Sequence, residues 1–374
     1  MIINDLQVSQ FRNIRSFSWQ PHARANLLIG ANAQGKTNLL EAIYLLGTTK
    51  SLRPGASSDD LIMAGQDQAL VKGSVQRESP VVSRELEVRL KRDEARQVRL
   101  NGKPLTPFSK IFGQLTVVLF VPEDLGLVKA GPAARRQYLD LEISQATPLY
   151  LEALQTYQRA LRQRNAAIRM VAEGRAAWST VEAFDASLVE SGSEIIRLRA
   201  EAIEELQPLA AQFQARVAGH AGEDLQLRYL CSVEEAATEK NIDAIRDAFA
   251  RALKARASEE RGRSTTLSGP HRDDLEINLE GRPARLFASQ GQQRTTALAL
   301  KLAEVQFLSR RLHENPVLLL DDVLSELDLD RQSALLGLLD EHVQTFVTST
   351  HAEGLAYKPG EVLKVTDGEF FRAS

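Results

Sequence analysis

Gly30-Ala31-Asn32-Ala33-Gln34-Gly35-Lys36-Thr37 sets two glycines, a lysine and a threonine at the GxxxxGK[ST] spacing. Each residue type has a use here. Glycines let a backbone wrap a phosphate closely, successive amides and a helix start supply positive potential, a lysine reaches β- and γ-phosphates, and a threonine hydroxyl suits Mg²⁺. The octet follows a short apolar run, Asn26 to Ile29, and precedes a segment with an apolar face at Leu39, Leu40, Ile43, Leu45 and Leu46. Strand, loop and helix is the context this chemistry requires, so a purine nucleoside triphosphate with Mg²⁺ is the expected ligand.

Such a loop needs a second acidic ligand at the end of a neighbouring apolar strand. Val317-Leu318-Leu319-Leu320-Asp321-Asp322 supplies it. Asp321 is expected on the metal side with Thr37, and Asp322 beside the γ-phosphate, where it would orient or deprotonate the attacking water. A solvated helix-capping aspartate would occupy the same place. Ser289-Gln290-Gly291-Gln292-Gln293 opens the preceding helix, and Ser followed by Gly at a helix N-terminus makes a second anion-binding end, although any capped helix shows the same pair.

The elements that must carry these residues are split between the two ends of the sequence. Ile2 to Val8, Phe11 to Trp19 and Asn26 to Ile29 read as strands, and the helix beginning near Gly35 has Gly47 as its stop. Val71 to Leu100 holds two or three strands, with Asn101-Gly102 as a two-residue turn. Val117 to Val121 is a buried strand closed by Pro122. Long helical stretches follow, about Ala133 to Arg169 and Val181 to Val217. Strand character returns at Leu225 to Ser232, Thr265 to Leu267 and Leu275 to Leu279, ahead of a helix from about Gln290 to His313. The expected fold class is α/β, with a P-loop head at residues 1–125 and 225–374, a β layer at about 65–121 and an inserted helical lobe at 126–224.

Composition restricts the setting. Hydrophobic residues at 43% and charged residues at 25% are those of a folded globular chain. No apolar run is long enough to cross a bilayer, and Cys231 is the single cysteine, so a reducing cytoplasm without membrane insertion is expected. The net charge of −3 means that any nucleic-acid contact must come from a local basic face.

Loop, Ser-x-Gly-Gln, apolar strand with Asp, and Ser325-Glu326-Leu327-Asp328 occur in the order of the ABC-type ATPases, which the chain resembles. Within them it is similar to the SMC-like DNA-repair branch and its RecF family. The residues that carry this are Phe11-Arg12-Asn13, Gly30 to Thr37, Arg53-Pro54-Gly55, Val121 to Leu125, Gln163-Arg164-Asn165, Gly269 to Asp274, Ser289 to Gln293 and Leu319 to Asp328. The resemblance implies a protein of recombinational repair that binds duplex DNA or a single/double-strand junction as an ATP-sandwiched homodimer. It also implies RecR-like and RecA-like partners and help in loading recombinase at gaps. Ser289, Gly291 and Gln292 would then meet the γ-phosphate held by the partner's Lys36. His351, after the apolar strand Thr345 to Val347, resembles the switch histidine of these ATPases. Their Q-loop falls near Val121 to Asp124, where the usual glutamine is absent. Asp322 stands where the family pattern usually has Glu, and a carboxylate misplaced by about 1 Å can cost around 10²-fold, so hydrolysis is expected to be slow.

For DNA the candidates are Arg159 and Arg162 on one helix, with Arg135 and Arg136 upstream and Lys50, Arg53 and Lys72 as further contributors. A solvated helix face balanced by nearby Glu fits the same residues. His271 and Asp273 alone do not make a nuclease metal site, which needs more converging carboxylates, and Gly269 to Asp274 is expected to be structural or to couple to ATP. Two rivals share the phosphate chemistry: a transporter's nucleotide-binding subunit, which is far more compact between Lys36 and Ser289, and an ATP-binding clamp without useful turnover.

Overall fold

The computed structural model describes residues 1–53, 55–78, 80–218, 223–338, 343–350 and 359–373. In chain order the strands and helices are β1 (Ile2–Phe11), β2 (Ile14–Trp19), β3 (Ala25–Ile29), α1 (Lys36–Thr48), α2 (Ser58–Leu61), β4 (Gln68–Glu78), β5 (Val81–Lys91), β6 (Gln97–Leu100), β7 (Lys103–Pro104) and β8 (Val117–Phe120). Then come α3 (Pro132–Ala146), α4 (Pro148–Ala172), α5 (Ser179–Glu182), α6 (Asp185–Ala218), β9 (Leu225–Leu230), α7 (Ile242–Arg263), β10 (Asp274–Leu279), β11 (Arg282–Pro283), α8 (Ala284–Phe287) and α9 (Gln290–Leu312). The chain closes with β12 (Val317–Asp321), α10 (Leu329–Leu338), β13 (Thr345–Ser349), β14 (Glu361–Thr366) and β15 (Glu369–Arg372).

These elements form two compact units. The first comprises Met1–Gly126, Phe213–Ala221 and Arg294–Ser374. Its central sheet runs β15-β14-β3-β13-β12-β8, parallel except for the β14–β15 hairpin. Leu27, Leu28, Val317 to Leu320, Phe346 and Val347 are all buried, as expected for strands of a parallel sheet covered on both faces. α1 packs on this sheet. Gly47 is not its stop, because the helix runs on to Thr48 and Thr49 takes the left-handed conformation at its end. A Cβ at Gly47 would lie 2.8 Å from the Leu115 carbonyl oxygen, so the glycine permits close approach of helix and chain. The β layer is a second sheet of this unit, antiparallel in the order β2-β1-β4-β5-β6-β7. Asn101 and Gly102 both have positive φ in its last hairpin, as their sequence signals.

The second unit comprises Leu127–Gln212 and Gly222–Gln293. It therefore takes residues 225–293, which the sequence reading assigns to the head. The cause is pairing and packing: β10 joins β9 and β11 in a separate three-stranded sheet, and α7 lies against α4. Thr265 to Leu267, read as a strand, is irregular backbone. Thr266 gives its amide and hydroxyl to Asn165 instead of to a sheet.

Two buried arginines organise this unit. Arg164 on α4 is 1% exposed and donates to Asp185 (2.7 Å), Glu260 (2.7 Å) and Thr266 (2.9 Å). Arg199 on α6 donates to Asp140, to Tyr150 and to the Pro270 carbonyl. Removing one partner of a buried pair leaves the other charge uncompensated. Arg164→Met is expected to cost about 3–5 kcal/mol in urea unfolding, with Glu260→Met in the same chain recovering part of that loss.

Candidate functional site

β3, the loop after it, α1, β12 and β13 converge at the carboxyl end of the parallel sheet, where ligands of open α/β sheets bind. β13 lies between β3 and β12, with Thr348 opposite Leu28 on one side and Asp321 on the other. The loop enters α1 through Gly35 at φ 115°, in the left-handed region that glycine tolerates. Asn13 holds the loop from behind by donating to the Gln34 carbonyl, while the turn of the β14–β15 hairpin donates its Asp367 and Gly368 amides to Gln34.

Lys36 is almost buried and its ammonium donates to the Gly30 and Ala31 carbonyls at 2.6 and 2.9 Å. Burial lowers its pKa, against the pull of Asp322 and Asp321. Asp321 Oδ1 accepts two hydroxyls, from Thr37 at 3.0 Å and from Thr348 at 2.8 Å. Burial raises the Asp321 pKa, opposed by those hydrogen bonds. The Asp322 amide donates to Thr348 Oγ1 at 2.9 Å, and Asp322 takes φ 53°, a left-handed value that Asp adopts more readily than most residues. Its Oδ1 is buried and has no hydrogen-bond partner among the described residues.

Asn32 to Asn38, Asp321, Asp322, Thr348 and Arg53 line a cleft of about 380 Å³. Every loop residue from Asn32 to Thr37 expected to touch the ligand lies there, while Gly30 and Ala31 hold Lys36 by their carbonyls. Thr37 and Asp321 offer hard oxygen donors side by side, a set that fits Mg²⁺ shared with phosphates. Among the described residues no group of three or more His, Cys, Asp or Glu side chains is placed to hold a metal.

The other expected residues are dispersed. Ser289 is exposed and caps α9: Gln292 N–H donates to its Oγ and the Gln292 side chain accepts from the Ser289 amide. Gly291 lies in the first turn of the same helix. His351 falls outside the described residues. Arg159 and Arg162 are exposed on α4. Arg135 is not available to DNA, since its guanidinium is buried and forks onto Asp274 at 2.8 and 2.6 Å. Arg136 is half-buried and donates to the Asp273 carbonyl. His271 and Asp273 are spent on internal bonds, His271 with Tyr157 and the Thr266 carbonyl, Asp273 with Tyr229 and the Ser232 amide. Burial pushes the His271 pKa down to about 4.

Three cleft residues, Asn38, Thr348 and Arg53, are not assigned to it by the sequence. Thr348 carries no spacing signal of its own, although it lies next to the last residue of an apolar strand, level with Asp321. Arg53 reads as a DNA contributor but lines the cleft.

Fold and cleft together define a P-loop ATPase head of the ABC and SMC class. An Smc head bound to the C-winged helix domain of ScpA aligns over 100% of this chain and 98% of its own, with TM-score 0.57 at 18% identity, which supports the fold alone. The model of the RecF/RecN/SMC N-terminal domain matches residues 2–369, and the chain belongs to this family, in its RecF branch. It is 42% identical to the DNA replication and repair protein RecF of Symbiobacterium thermophilum, over 95% of this chain and 93% of that one. Against the RecF of Bacillus mycoides the identity is 39%, over 98% of both chains. The solved recombination mediator protein RecF-ATPrS of the RecFOR pathway superposes with TM-score 0.92 at 33% identity, covering 100% of this chain and 98% of its own.

The raised Asp321 pKa has a consequence for stability. A carboxyl whose folded pKa exceeds its unfolded value favours the fold below the unfolded pKa, and that contribution is lost as pH rises through the folded one. Asp321→Asn, which keeps the acceptor for both hydroxyls, is therefore expected to raise the unfolding midpoint at pH 7 and to leave it unchanged below the ordinary carboxylate range. Thermal scans across pH without nucleotide check this, and an unchanged midpoint at pH 7 contradicts it.

Proposed function

We propose that this chain is an ATP-dependent DNA-binding protein of recombinational repair, closing as a homodimer with ATP between the copies and helping to load recombinase at gaps. The observation that carries it is the cleft in which Lys36, Thr37, Asp321, Asp322 and Thr348 face one another. Lys36 exchanges its two carbonyl partners for β- and γ-phosphate oxygens, and the loop amides and α1 N-terminus neutralise the rest of the charge. Thr37 and Asp321 hold Mg²⁺, which when bound offsets phosphate charge. Asp322, with a buried unbonded oxygen, orients the attacking water; being one methylene shorter than Glu, it supports slow turnover. ATP then acts as dimer glue more than as fuel.

In the same reading Ser289 acts from a second copy. Its oxygen already accepts from Gln292, so its hydroxyl proton is available to a γ-phosphate oxygen, at a helix N-terminus that favours anions. Ser289→Arg is expected to bind ATP with unchanged affinity yet stay monomeric in analytical ultracentrifugation with ATP, whereas wild type dimerises with ATP and not with ADP. Dimerisation of Ser289→Arg with ATP would rule out the placement across the interface.

Arg159 and Arg162 remain as DNA contacts; Arg135 does not. The repair partners carried by the family resemblance, RecR-like and RecA-like proteins, belong to the same reading. Arg159→Glu with Arg162→Glu is expected to weaken duplex binding of the ATP-bound form uniformly across sequences. It should also flatten the slope of log K against log salt by about 3.6 for the dimer, at ~0.9 for each of the four phosphates that the two copies no longer neutralise. Fluorescence anisotropy over a salt series measures both, and an unaltered slope excludes these two residues.

A further inference from the structure

The segment from Ser51 to Leu61 is pinned near both ends by one pair of residues. Close to its start, Glu41 on α1 accepts hydrogen bonds from the Ser51 hydroxyl (2.5 Å) and the Leu52 amide (3.2 Å). Close to its end, the Arg12 side chain donates to the Asp60 carbonyl at 2.7 Å and the Arg12 amide to the Leu61 carbonyl at 2.8 Å. Arg12 and Glu41 meet each other through two bonds of 2.8 and 3.0 Å, a fork on a carboxylate. Glu41 is fully buried between Leu40 and Ala42, where an unpaired carboxylate would be very costly. Burial alone would raise its pKa, yet the Arg12 and Ser51 bonds outweigh burial and hold it below the ordinary value.

From this hub a hydrogen-bonded chain leads into the nucleotide cleft. Ser51 Oγ, while donating to Glu41, accepts the Arg53 amide at 3.0 Å. Arg53 lines the cleft together with Lys36, Asp321 and Asp322. No other arginine does so among the described lining residues. A guanidinium there is suited to bidentate contact with phosphate oxygens, which a flexible exposed side chain would meet only at an entropic cost.

We propose that Glu41 is a positioning residue for ATP: through Ser51 it fixes the backbone at Arg53 so that the guanidinium is presented to the polyphosphate, and through Arg12 it ties that arrangement to the β1–β2 hairpin. The proposal rests on the nucleotide reading of the cleft. It makes residues 51–53 a pre-organised part of the site and not a surface loop. Glu41 touches no phosphate; its effect on ATP passes through Ser51 and Arg53.

Direct disruption of Glu41 risks unfolding the unit, so Ser51 is the discriminating position. ATP binding to the full chain is measured by calorimetry for wild type, Arg53→Ala, Ser51→Ala, Ser51→Thr, the Ser51→Ala/Arg53→Ala double variant and Lys36→Ala, alongside the unfolding midpoint without nucleotide. Arg53→Ala is expected to weaken ATP binding about tenfold, the effect of removing one charge-assisted hydrogen bond. Ser51→Ala should lose about three- to tenfold in ATP affinity and, having given up a hydrogen bond to the buried Glu41 carboxylate, unfold at a lower midpoint while staying folded at the binding temperature; the double variant should bind no more weakly than Arg53→Ala, and Ser51→Thr should bind as wild type. Wild-type affinity in Ser51→Ala or in Arg53→Ala, or losses that multiply in the double variant, would overturn the proposal. Wild-type affinity in Lys36→Ala would instead sink the nucleotide reading beneath it.

Discussion

A single buried oxygen, Asp321 Oδ1, holds the site together. It accepts the hydroxyl of Thr37 from the start of α1 and that of Thr348 from the end of β13, so three elements distant in sequence meet at one atom. The arrangement depends on strand order: β13 sits between β3 and β12, and parallel register brings Asp321 level with Thr348 and Thr348 level with Leu28. A slip of one residue would turn these side chains to the opposite face of the sheet. Burial opposes the charge of this carboxylate, as it does that of Lys36 beside it. Stability is given up at the point where the proposed reading puts a cation ligand, a common exchange at functional sites.

The parts of this site that can be read from the sequence are those whose backbone demands leave little choice. The loop from Gly30 to Thr37 is legible because only glycine takes φ 115° at Gly35 without strain, and because the lysine and threonine spacing follows from where a helix begins. β12 is legible as an apolar run interrupted by acid. Thr348 and Arg53 are not, because nothing in a lone threonine or arginine says which cleft it will line. Glu41 does leave a signal: it is the one charged residue in Leu39 to Leu46, a run that puts apolar side chains on every side of the helix, and a buried carboxylate needs partners. Those partners come from the turn after β1 and the segment after α1, and spacing along the chain does not reveal them.

The same limit explains the basic residues of the second unit. Arg135, Arg159, Arg162 and Arg164 look alike in sequence, yet Arg135 and Arg164 are buried on acidic partners, Asp274 for the first and Asp185 with Glu260 for the second. Counting positive charges along a helix therefore overstates the surface that DNA would meet, and the true basic face of α4 is narrower than its composition suggests. The run Gly269 to Asp274 shows the reverse case. Its polar residues resemble a catalytic loop, but the Tyr157, Thr266, Ser232 and Tyr229 contacts account for His271 and Asp273. The glycine at its head takes φ 123°, and a Cβ there would lie 2.5 Å from the Tyr157 hydroxyl, so the loop is a packed structural turn.

The hydrogen bonds within the cleft also bear on what can displace them. Lys36 already has two carbonyl acceptors, and Asp321 already has two hydroxyl donors. A ligand gains only the difference between its own bonds and those it replaces, and any polar group left unpaired in a buried place costs about 1–3 kcal/mol. A bare phosphate could replace the carbonyls on Lys36 but gives Asp321 nothing, since both are anionic. A cation alone would suit Asp321 but is repelled by Lys36 nearby. A polyphosphate carrying its cation satisfies both groups at once: oxygens go to the ammonium and the metal to the carboxylate and the Thr37 hydroxyl. On the proposed nucleotide reading, a preference for a metal-bound polyphosphate over either ion alone thus follows from the opposite charges of two neighbouring buried groups, with no contact to the base required.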